Sequence, residues 1–470
     1  MKVAGVILAA GIGTRMRSPL PKVLHSLLGT PMLQYVVDTM AALKPEKLVV
    51  VVGRHADRIR EAIRGPKALS FVEQREPRGT ADALRSAAPV LRSFRGTVLV
   101  VNGDCPLLTP DTIRALLTRH RRKKNDLSFL SFLATNPASY GRVIRDGRKK
   151  VLSIVEEQDA TAEQREIREV NSGVYALEPR VLALLDGIGV NPSKGEYYLT
   201  DVVHIARAKG MAVDAFLVGS EAEFIGINTP EDLERAGRLM RTRIVEHWRS
   251  RGVSFLDAGS VYISARSKLG GKTVVYPNVH IEGRTEIGSG CTIFPNVRIV
   301  DSTIGDGATV KDSTVIERSS IGRNASVGPF AHLRPGSALE EDVKIGNFVE
   351  VKNSRIGRGT KASHLSYLGD AEIGKHVNIG AGTITCNYDG YKKHVTRIED
   401  GVFIGSDTQL IAPVKVSRGA VVGAGSTITA DVPANALALS RVRQTNIARW
   451  AERRRKQEGR NQPKEKPTRK

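Results

Sequence analysis

The chain has 470 residues, 71 Lys or Arg against 49 Asp or Glu, a net charge of +22 and only 5% aromatic side chains. That length calls for two or three domains, and three scattered cysteines, Cys105, Cys291 and Cys386, exclude a disulfide framework and a cysteine zinc site. No stretch has the apolar length of a membrane span or the layout of a signal peptide, so no membrane partner is expected and the expected location is the cytoplasm.

Residues 3–10 form a continuous apolar run, the mark of a buried parallel strand. It ends in Gly11-Ile12-Gly13-Thr14-Arg15-Met16-Arg17, followed by Pro21-Lys22. This loop is not a dinucleotide fingerprint, since Met16 stands where the third glycine belongs, and it lacks the Gly-Lys-Ser/Thr of a Walker loop. Its backbone N–H groups still suit a phosphate chain, with Arg15 and Lys22 as neutralising cations. Taken alone it is equally an ordinary strand-to-helix turn.

Further apolar strands are expected at 47–53, 69–73 and 97–102, alternating with helical stretches at 31–43 and 80–91. That alternation predicts a parallel, Rossmann-like α/β sheet, which binds ligands at the carboxyl ends of its strands. Both the Gly11 loop and Gly103-Asp104-Cys105-Pro106 fall at such ends. A carboxylate at Asp104 suits Mg²⁺ beside a nucleotide; read singly, it also suits a turn cap. Polar clusters at Tyr140-Gly141-Arg142-Val143, Ile154-Val155-Glu156-Glu157, Val170-Asn171-Ser172-Gly173 and Glu196-Tyr197-Tyr198-Leu199-Thr200-Asp201 are pocket candidates. At Thr229-Pro230-Glu231-Asp232 a helix begins, with Thr as N-cap and Pro at the first position. Leu233, Met240, Ile244 and Trp248 lie along one stripe of it.

Beyond about residue 252 the pattern changes to steps of six. Val275, Ile281, Ile287, Ile293 and Ile299 come in turn, then Ile304, Val310 and Ile316, then Ile321 through Leu333 and Ile345 to Val351. Ile356, Ala362, Leu368, Ile373 and Ile379 continue the frame, and Ile398, Ile404, Leu410, Val416, Val422 and Ile428 close it. A period of six is neither helical nor that of an ordinary strand, and it predicts a three-sided solenoid with coils of about 18 residues. Glycine after the inward residue, as in Ile304-Gly305 and Ile321-Gly322, is expected to let the chain turn its corners. One coil buries too little to order itself, so coils must stack. Between Ile379 and Ile398 a long stretch with Cys386-Asn387-Tyr388-Asp389-Gly390 is ejected, and a loop on a rigid scaffold is more often functional than idle. His364, two residues after inward-pointing Ala362, is expected on the outside of the wall among polar neighbours. It is the candidate general base, imidazole being the commonest side chain in that role.

Residues 441–470 carry twelve Lys or Arg and three Glu, +9 of the total charge. With Arg453-Arg454-Arg455-Lys456 they read as a solvated, disordered tail. No aromatic platform or binding motif accompanies them, so nucleic acid is not the expected partner; the remaining charge suits anionic small substrates.

Leu8-Ala9-Ala10-Gly11-Ile12-Gly13-Thr14-Arg15-Met16 followed by Leu20-Pro21-Lys22 resembles the signature of sugar-1-phosphate nucleotidylyltransferases. Joined to the hexapeptide repeats, the chain resembles over nearly its whole length the bacterial family that combines N-acetylglucosamine-1-phosphate uridylyltransferase with glucosamine-1-phosphate N-acetyltransferase. The resemblance implies a uridylyltransferase domain at 1–229, a linker helix at 230–251, a left-handed parallel β-helix acetyltransferase domain at 252–440 and a basic carboxyl-terminal segment at 441–470. It implies UTP or UDP-N-acetylglucosamine contacts from Leu8, Ala9, Ala10, Gly11 and Lys22, with Arg15 on the phosphates. Gln74, Gly79 and Thr80 would meet uracil, Gly141, Glu156 and Asn171 the sugar, and Asp104 with Asn228 would hold Mg²⁺. In the repeats Arg334, Lys352, Tyr367 and Asn378 would bind the sugar phosphate. Ala381, Ser406, Ala424 and Arg441 would contact acetyl-CoA, Asn387 and Tyr388 lie close to both substrates, and His364 is the implied general base. A homotrimer with sites between subunits, and a product serving peptidoglycan and lipopolysaccharide synthesis, are also implied. One position departs from the family: Asn102 stands where a Tyr is common. Two competing readings remain at this point, a monofunctional nucleotidylyltransferase with a regulatory prism and a nucleic-acid-associated scaffold.

Overall fold

The computed structural model describes residues 2–11, 13–192 and 194–460. The chain divides into two compact units, Met1–Ser302 and Thr303–Lys470.

In the first unit a nine-stranded sheet has the spatial order Val213–Val218, Leu127–Leu133, Glu169–Leu177, Thr97–Asn102, Val3–Ala9, Lys47–Val52 and Leu69–Glu73, with Arg142–Arg145 and Val151–Val155 paired off this path. Val3–Ala9 is parallel to both neighbours, as its apolar run predicts. Chain order moves outward to Lys47–Val52 and Leu69–Glu73 on one side, then jumps to Thr97–Asn102 on the other. That reversal opens a crevice at the carboxyl ends of Val3–Ala9 and Thr97–Asn102. The helix Thr80–Leu91 closes one face by burying Ala81, Leu84, Ala87 and Leu91, one stripe of its 3.6-residue turn. The sheet is mixed rather than purely parallel, because Glu169–Leu177 runs antiparallel to both its neighbours. The expectation rested on the first four strands and carried no information about the direction of the later ones.

The helix Pro230–Arg249 starts on the expected signal: Thr229 accepts from the Asp232 N–H at 3.2 Å and the Asp232 carboxylate accepts from the Thr229 N–H at 2.9 Å. Its buried face is Ala236, Met240, Ile244 and Val245, whereas Leu233 and Trp248 are only half-buried. Among the described residues no helix is long and apolar enough to cross a membrane.

Each unit carries coils of a left-handed parallel β-helix, built from three parallel sheets. In the first unit Ser254–Phe255, Val274–Val275 and Thr292–Ile293 stack along one wall. In the second, Lys344–Asn347 pairs with Lys361–His364, and Glu350–Lys352 with Tyr367–Gly369. Every apolar residue of the six-residue frame from Val275 to Ile428 is buried. A second buried position, four residues after the first, is occupied by small side chains such as Val297, Ala308, Ala325, Thr360 and Ser426. Hydroxyls at the inward-facing small positions bond the next coil: Thr360 Oγ1 donates to the Gly374 carbonyl at 2.7 Å and Ser337 Oγ to the Val351 carbonyl at 3.0 Å.

The glycines after the frame residues do not turn corners through a left-handed backbone. A Cβ on Gly322 would collide with the Glu340 backbone and one on Gly405 would lie 2.5 Å from the Ala424 nitrogen, so close stacking of the next coil is what requires them. The left-handed corner residues lie elsewhere, at Phe330, Phe348 and Leu365 among others. The ejected loop lengthens one coil, with Asn378 pairing Phe403 across it. The basic run 453–456, expected as disordered chain, lies on the helix Trp450–Arg460. Pairs at i,i+3 and i,i+4 account for it: Arg449–Glu452, Arg454–Glu458 and Lys456–Glu452. The tail's end, 461–470, lies outside the described residues.

Candidate active sites

The crevice in the sheet is a cavity of about 410 Å³, lined by Leu8, Ala9, Ala10, Gly11, Lys22, Gln74, Gly79, Thr80 and Asp104, all expected there, and also by Asn102 and Glu196. Gly13 has a left-handed backbone (φ 69°), and a Cβ on it would sit 2.5 Å from the Lys22 Cβ, so this glycine lets Lys22 fold back against the loop. Gly79 (φ 101°) packs on the Tyr197 backbone, 2.6 Å from where its Cβ would be. Gln74 is buried, its Nε2 donating to Asp82 Oδ2 at 2.8 Å and to the Gly79 carbonyl at 3.2 Å. Those bonds orient the amide and leave its Oε1 as the remaining acceptor edge.

Lys22 Nζ lies 2.5 Å from Asp104 Oδ2 and 3.1 Å from Asn228 Oδ1, and Arg15 Nη2 donates to the same Asn228 oxygen at 2.9 Å. One carboxylate oxygen and one amide oxygen therefore converge on a single cation. This donor set fits Mg²⁺, a hard ion that takes one or two protein oxygens together with substrate phosphates. The thiol of Cys105, 3.6 Å from Asp104 Oδ1, is pushed well up by burial, which keeps it uncharged.

Gly141, Glu156 and Asn171 do not line that cavity but are brought together next to it. The Asn171 N–H donates to the Gly141 carbonyl at 2.8 Å, and a Cβ on Gly141 would press on Ile154 at 2.7 Å. Asn171 Nδ2 donates to Tyr175 Oη at 2.7 Å, and Thr200 Oγ1 donates to Glu156 at 2.9 Å. Thr80 joins the two groups, accepting from the Leu199 N–H one residue before Thr200. Burial holds the Glu156 carboxyl above the usual carboxylate range, with the Thr200 hydrogen bond opposing. Asn102 reaches beneath Gly173, where any Cβ would collide with its Nδ2.

In the coils, His364 is exposed at the end of Lys361–His364, while Ala362 is buried. Strict alternation would turn both the same way; the strand ends at the left-handed residue Leu365, which frees His364 to face outward. His364 Nδ1 lies 2.7 Å from Asn347 Oδ1. An acceptor oxygen there places the proton on Nδ1 and leaves the Nε2 lone pair for a substrate. Asn347 was missed in the sequence; it lies one coil, 17 residues, before His364, so counting back along the frame finds it.

Arg334 donates to Glu350 at 2.8 Å, and Lys352 and Tyr367 stand on paired strands one coil apart. Lys393, also missed, comes from the ejected loop: the Lys352 ammonium against it lowers its pKa, with Asp370 opposing. Two cations held together in this way suit an anion. Within the loop, Asp389 takes the Tyr391 and Lys392 N–H groups at 2.7 and 2.6 Å and His394 Nε2 at 2.7 Å. Tyr388 Oη donates to the Gly390 carbonyl at 2.6 Å. Asn387 is buried and Tyr388 exposed; Asn378 is exposed on its strand.

Ala381, Ser406 and Ala424 occupy one corner on three successive coils. The Asp407 N–H donates to the Ala381 carbonyl at 2.7 Å and the Gly425 N–H to the Ser406 carbonyl at 2.8 Å. Arg441 Nη1 donates to the Ala424 carbonyl at 2.8 Å, which ties the fourth residue of this group to the third. The result is an open edge of small side chains that a long, thin ligand can follow.

The sequence matches the MobA-like NTP transferase domain family over residues 5–170 and the GMPPB C-terminal domain family over residues 258–356. The bifunctional protein GlmU of Thermodesulfovibrio yellowstonii is 50% identical over 452 residues, covering 96% of this chain and 99% of that protein. The protein of the same name from Syntrophotalea carbinolica is 48% identical over 450 residues (96% and 97%), and that of Geobacillus sp. strain WCH70 47% over 454 residues (96% and 98%). Likeness of this depth spans both the sheet with its cavity and the coils with their histidine. The chain belongs to the family of the bifunctional protein GlmU.

Proposed function

We propose that this chain performs two successive reactions on one sugar phosphate, acetyl transfer in the coils and uridylyl transfer at the sheet. The observation that carries the reading is the His364–Asn347 pair at 2.7 Å, on the same two coils as Lys352 and Tyr367, in a chain that also holds the Lys22–Asp104 cavity. A prism serving only regulation has no use for such a base.

In the first reaction the amine of glucosamine-1-phosphate attacks the thioester carbon of acetyl-CoA. A C–N bond forms, the C–S bond breaks, and His364 Nε2 takes the amine proton and passes it to the departing sulfur, so CoA leaves as the thiol. Asn347 holds the tautomer this requires. Arg334, Lys352, Tyr367 and Asn378 bind the phosphate, with Lys393 as a further cation, and the Ala381–Ser406–Ala424 edge with Arg441 carries acetyl-CoA, Asn387 and Tyr388 lying between the two. In the second reaction a phosphate oxygen of N-acetylglucosamine-1-phosphate attacks the α-phosphorus of UTP and pyrophosphate leaves. Two polyanions must meet, so Lys22 and Arg15 offset charge while Gln74, Gly79 and Thr80 hold uracil and Gly141, Glu156 and Asn171 the sugar. Mg²⁺, held by Asp104 and Asn228, would supply further charge compensation on the phosphates. No protein nucleophile is required.

The coils bear exposed apolar residues at left-handed corners: Phe330, Phe348 and Leu365 are 52%, 56% and 61% exposed, the two rings stacked at 5.4 Å. Trp450 and Ile447 are also exposed. Such apolar surface supports self-association as a homotrimer, and the expected compartment is the cytoplasm. The test is a paired assay on one preparation: free CoA from glucosamine-1-phosphate with acetyl-CoA, and pyrophosphate from N-acetylglucosamine-1-phosphate with UTP and Mg²⁺. Both are expected. Pyrophosphate without CoA overturns the acetyltransferase half of the reading.

A further inference from the structure

Asp370 lies at the root of the ejected loop with its residue nearly buried, 9% exposed, and a left-handed backbone (φ 48°). Its two carboxylate oxygens are both engaged by amides one coil away on either side. Asn353 Nδ2 donates to Oδ1 at 2.6 Å and Asn387 Nδ2 to Oδ2 at 2.5 Å. The backbone of the same residue spans the loop's other end: its N–H donates to the Lys352 carbonyl at 3.0 Å and its carbonyl accepts from the Thr396 N–H at 3.2 Å.

The loop needs little from its surroundings to hold its own shape. Asp389 gathers three donors from Tyr391, Lys392 and His394, and the His394 N–H donates to the Asn387 carbonyl at 2.8 Å. Coil closure is also provided elsewhere, by the ladder of Ile373 on Ile398. What remains to be decided is where a preformed loop stands relative to the wall, and both of its ends meet at Asp370.

We propose that Asp370 is the positioning residue of the acetyl-transfer site, setting the placement of Asn387 and, through the loop, of Lys393 against Lys352. The inference rests on the acetyl-transfer reading above. A carboxylate is required by its bonds: it accepts from two amide donors at once, whereas an Asn in its place would turn an N–H₂ toward one of them. Its negative charge also lies among the cations that gather the sugar phosphate, opposing the repulsion between Lys352 and Lys393. With Nδ2 spent on Asp370, Asn387 keeps its Oδ1 as the edge that can face a substrate N–H.

The experiment is a charge-and-amide swap in the full-length protein. Asp370→Asn is expected to lower kcat/KM for glucosamine-1-phosphate in acetyl transfer by about 10- to 100-fold, the range for losing a hydrogen bond to a charged group, mainly through KM. Uridylyl transfer and the melting temperature stay unchanged. Asn387→Asp alone, which sets two carboxylates face to face, is expected to lose at least as much. The double variant Asp370→Asn/Asn387→Asp restores one carboxylate against one amide and is expected to recover most of the loss. Single variants that match the wild type, or losses that track a fall in melting temperature, or a double variant no better than either single, overturn the proposal. A wild-type protein that releases no CoA overturns the acetyl-transfer reading instead.

Discussion

In the sheet unit the candidate site is a recess: backbone loops at the ends of Val3–Ala9 and Thr97–Asn102 surround about 410 Å³, and the cations and carboxylate converge inside it. In the coils the candidate base His364 lies on the outer surface. The histidine stands exposed on a corner, and its partners come from the coil before, Asn347, and from loop 387–395 with Lys393. In the proposed reaction the first arrangement takes two polyanions among fixed cations. The second leaves an open edge, the proposed path of the thioester, and gains its precision from register, since neighbouring coils are locked in parallel ladders on both sides of His364. Enclosure and register are two ways to fix reacting groups, and each fails under a different kind of substitution.

The largest effects should separate the two regions cleanly. His364→Ala is expected to lower acetyl transfer by about 10²- to 10⁴-fold, the usual worth of a general base, with pyrophosphate release unchanged. Asp104→Ala is expected to do the reverse, lowering uridylyl transfer by about 10²- to 10³-fold, the scale of one preorganised electrostatic group. Loss of both activities in a folded variant of either kind would break the comparison.

Smaller effects sharpen it. Asn347→Ala removes the partner of His364 Nδ1 and is expected to cost about 10- to 100-fold in acetyl-transfer kcat; a change in KM alone would count against the tautomer role. Gly79→Ala meets the Tyr197 backbone at 2.6 Å and is expected to raise KM for UTP and leave acetyl transfer untouched. The smallest effect concerns Glu156, whose carboxyl burial holds above its ordinary range. A carboxyl with a raised folded pKa contributes full stability below the unfolded pKa and loses it as pH rises through the folded value. Glu156→Gln should therefore raise the melting temperature above about pH 5 while weakening the sugar phosphate's binding. A melting temperature that falls over that range would show that the ionised carboxylate is stabilising.

Legibility in the sequence differed between the regions for the same physical reason. The six-residue frame names the inward residue of each segment from Val275 to Ile379 and from Ile398 to Ile428 because those positions take apolar side chains; Thr385, the inward residue of Ile384–Cys386, escaped it because its side chain is polar. The second inward position escaped, since Ser, Thr and Ala fill it and bond between coils, a choice that looks polar in one dimension. The glycine loop, Gln74 and Asp104 were readable as motif residues and converge as expected. Asn347, Asp370 and Lys393 were not, because their roles arise from pairing across coils and from the fold of one loop. The antiparallel strand Glu169–Leu177 and the helix Trp450–Arg460 likewise depend on contacts that composition does not reveal.

The central claim is that one chain holds two separable sites acting in sequence. It is tested most directly by giving His364→Ala protein, Asp104→Ala protein and their equimolar mixture the same three substrates, glucosamine-1-phosphate, acetyl-CoA and UTP with Mg²⁺, and measuring UDP-N-acetylglucosamine. Each variant alone should form essentially none, and the mixture should form it steadily as acetylated sugar phosphate passes from one protein to the other. A mixture as inactive as its parts, with both variants folded, would contradict the account.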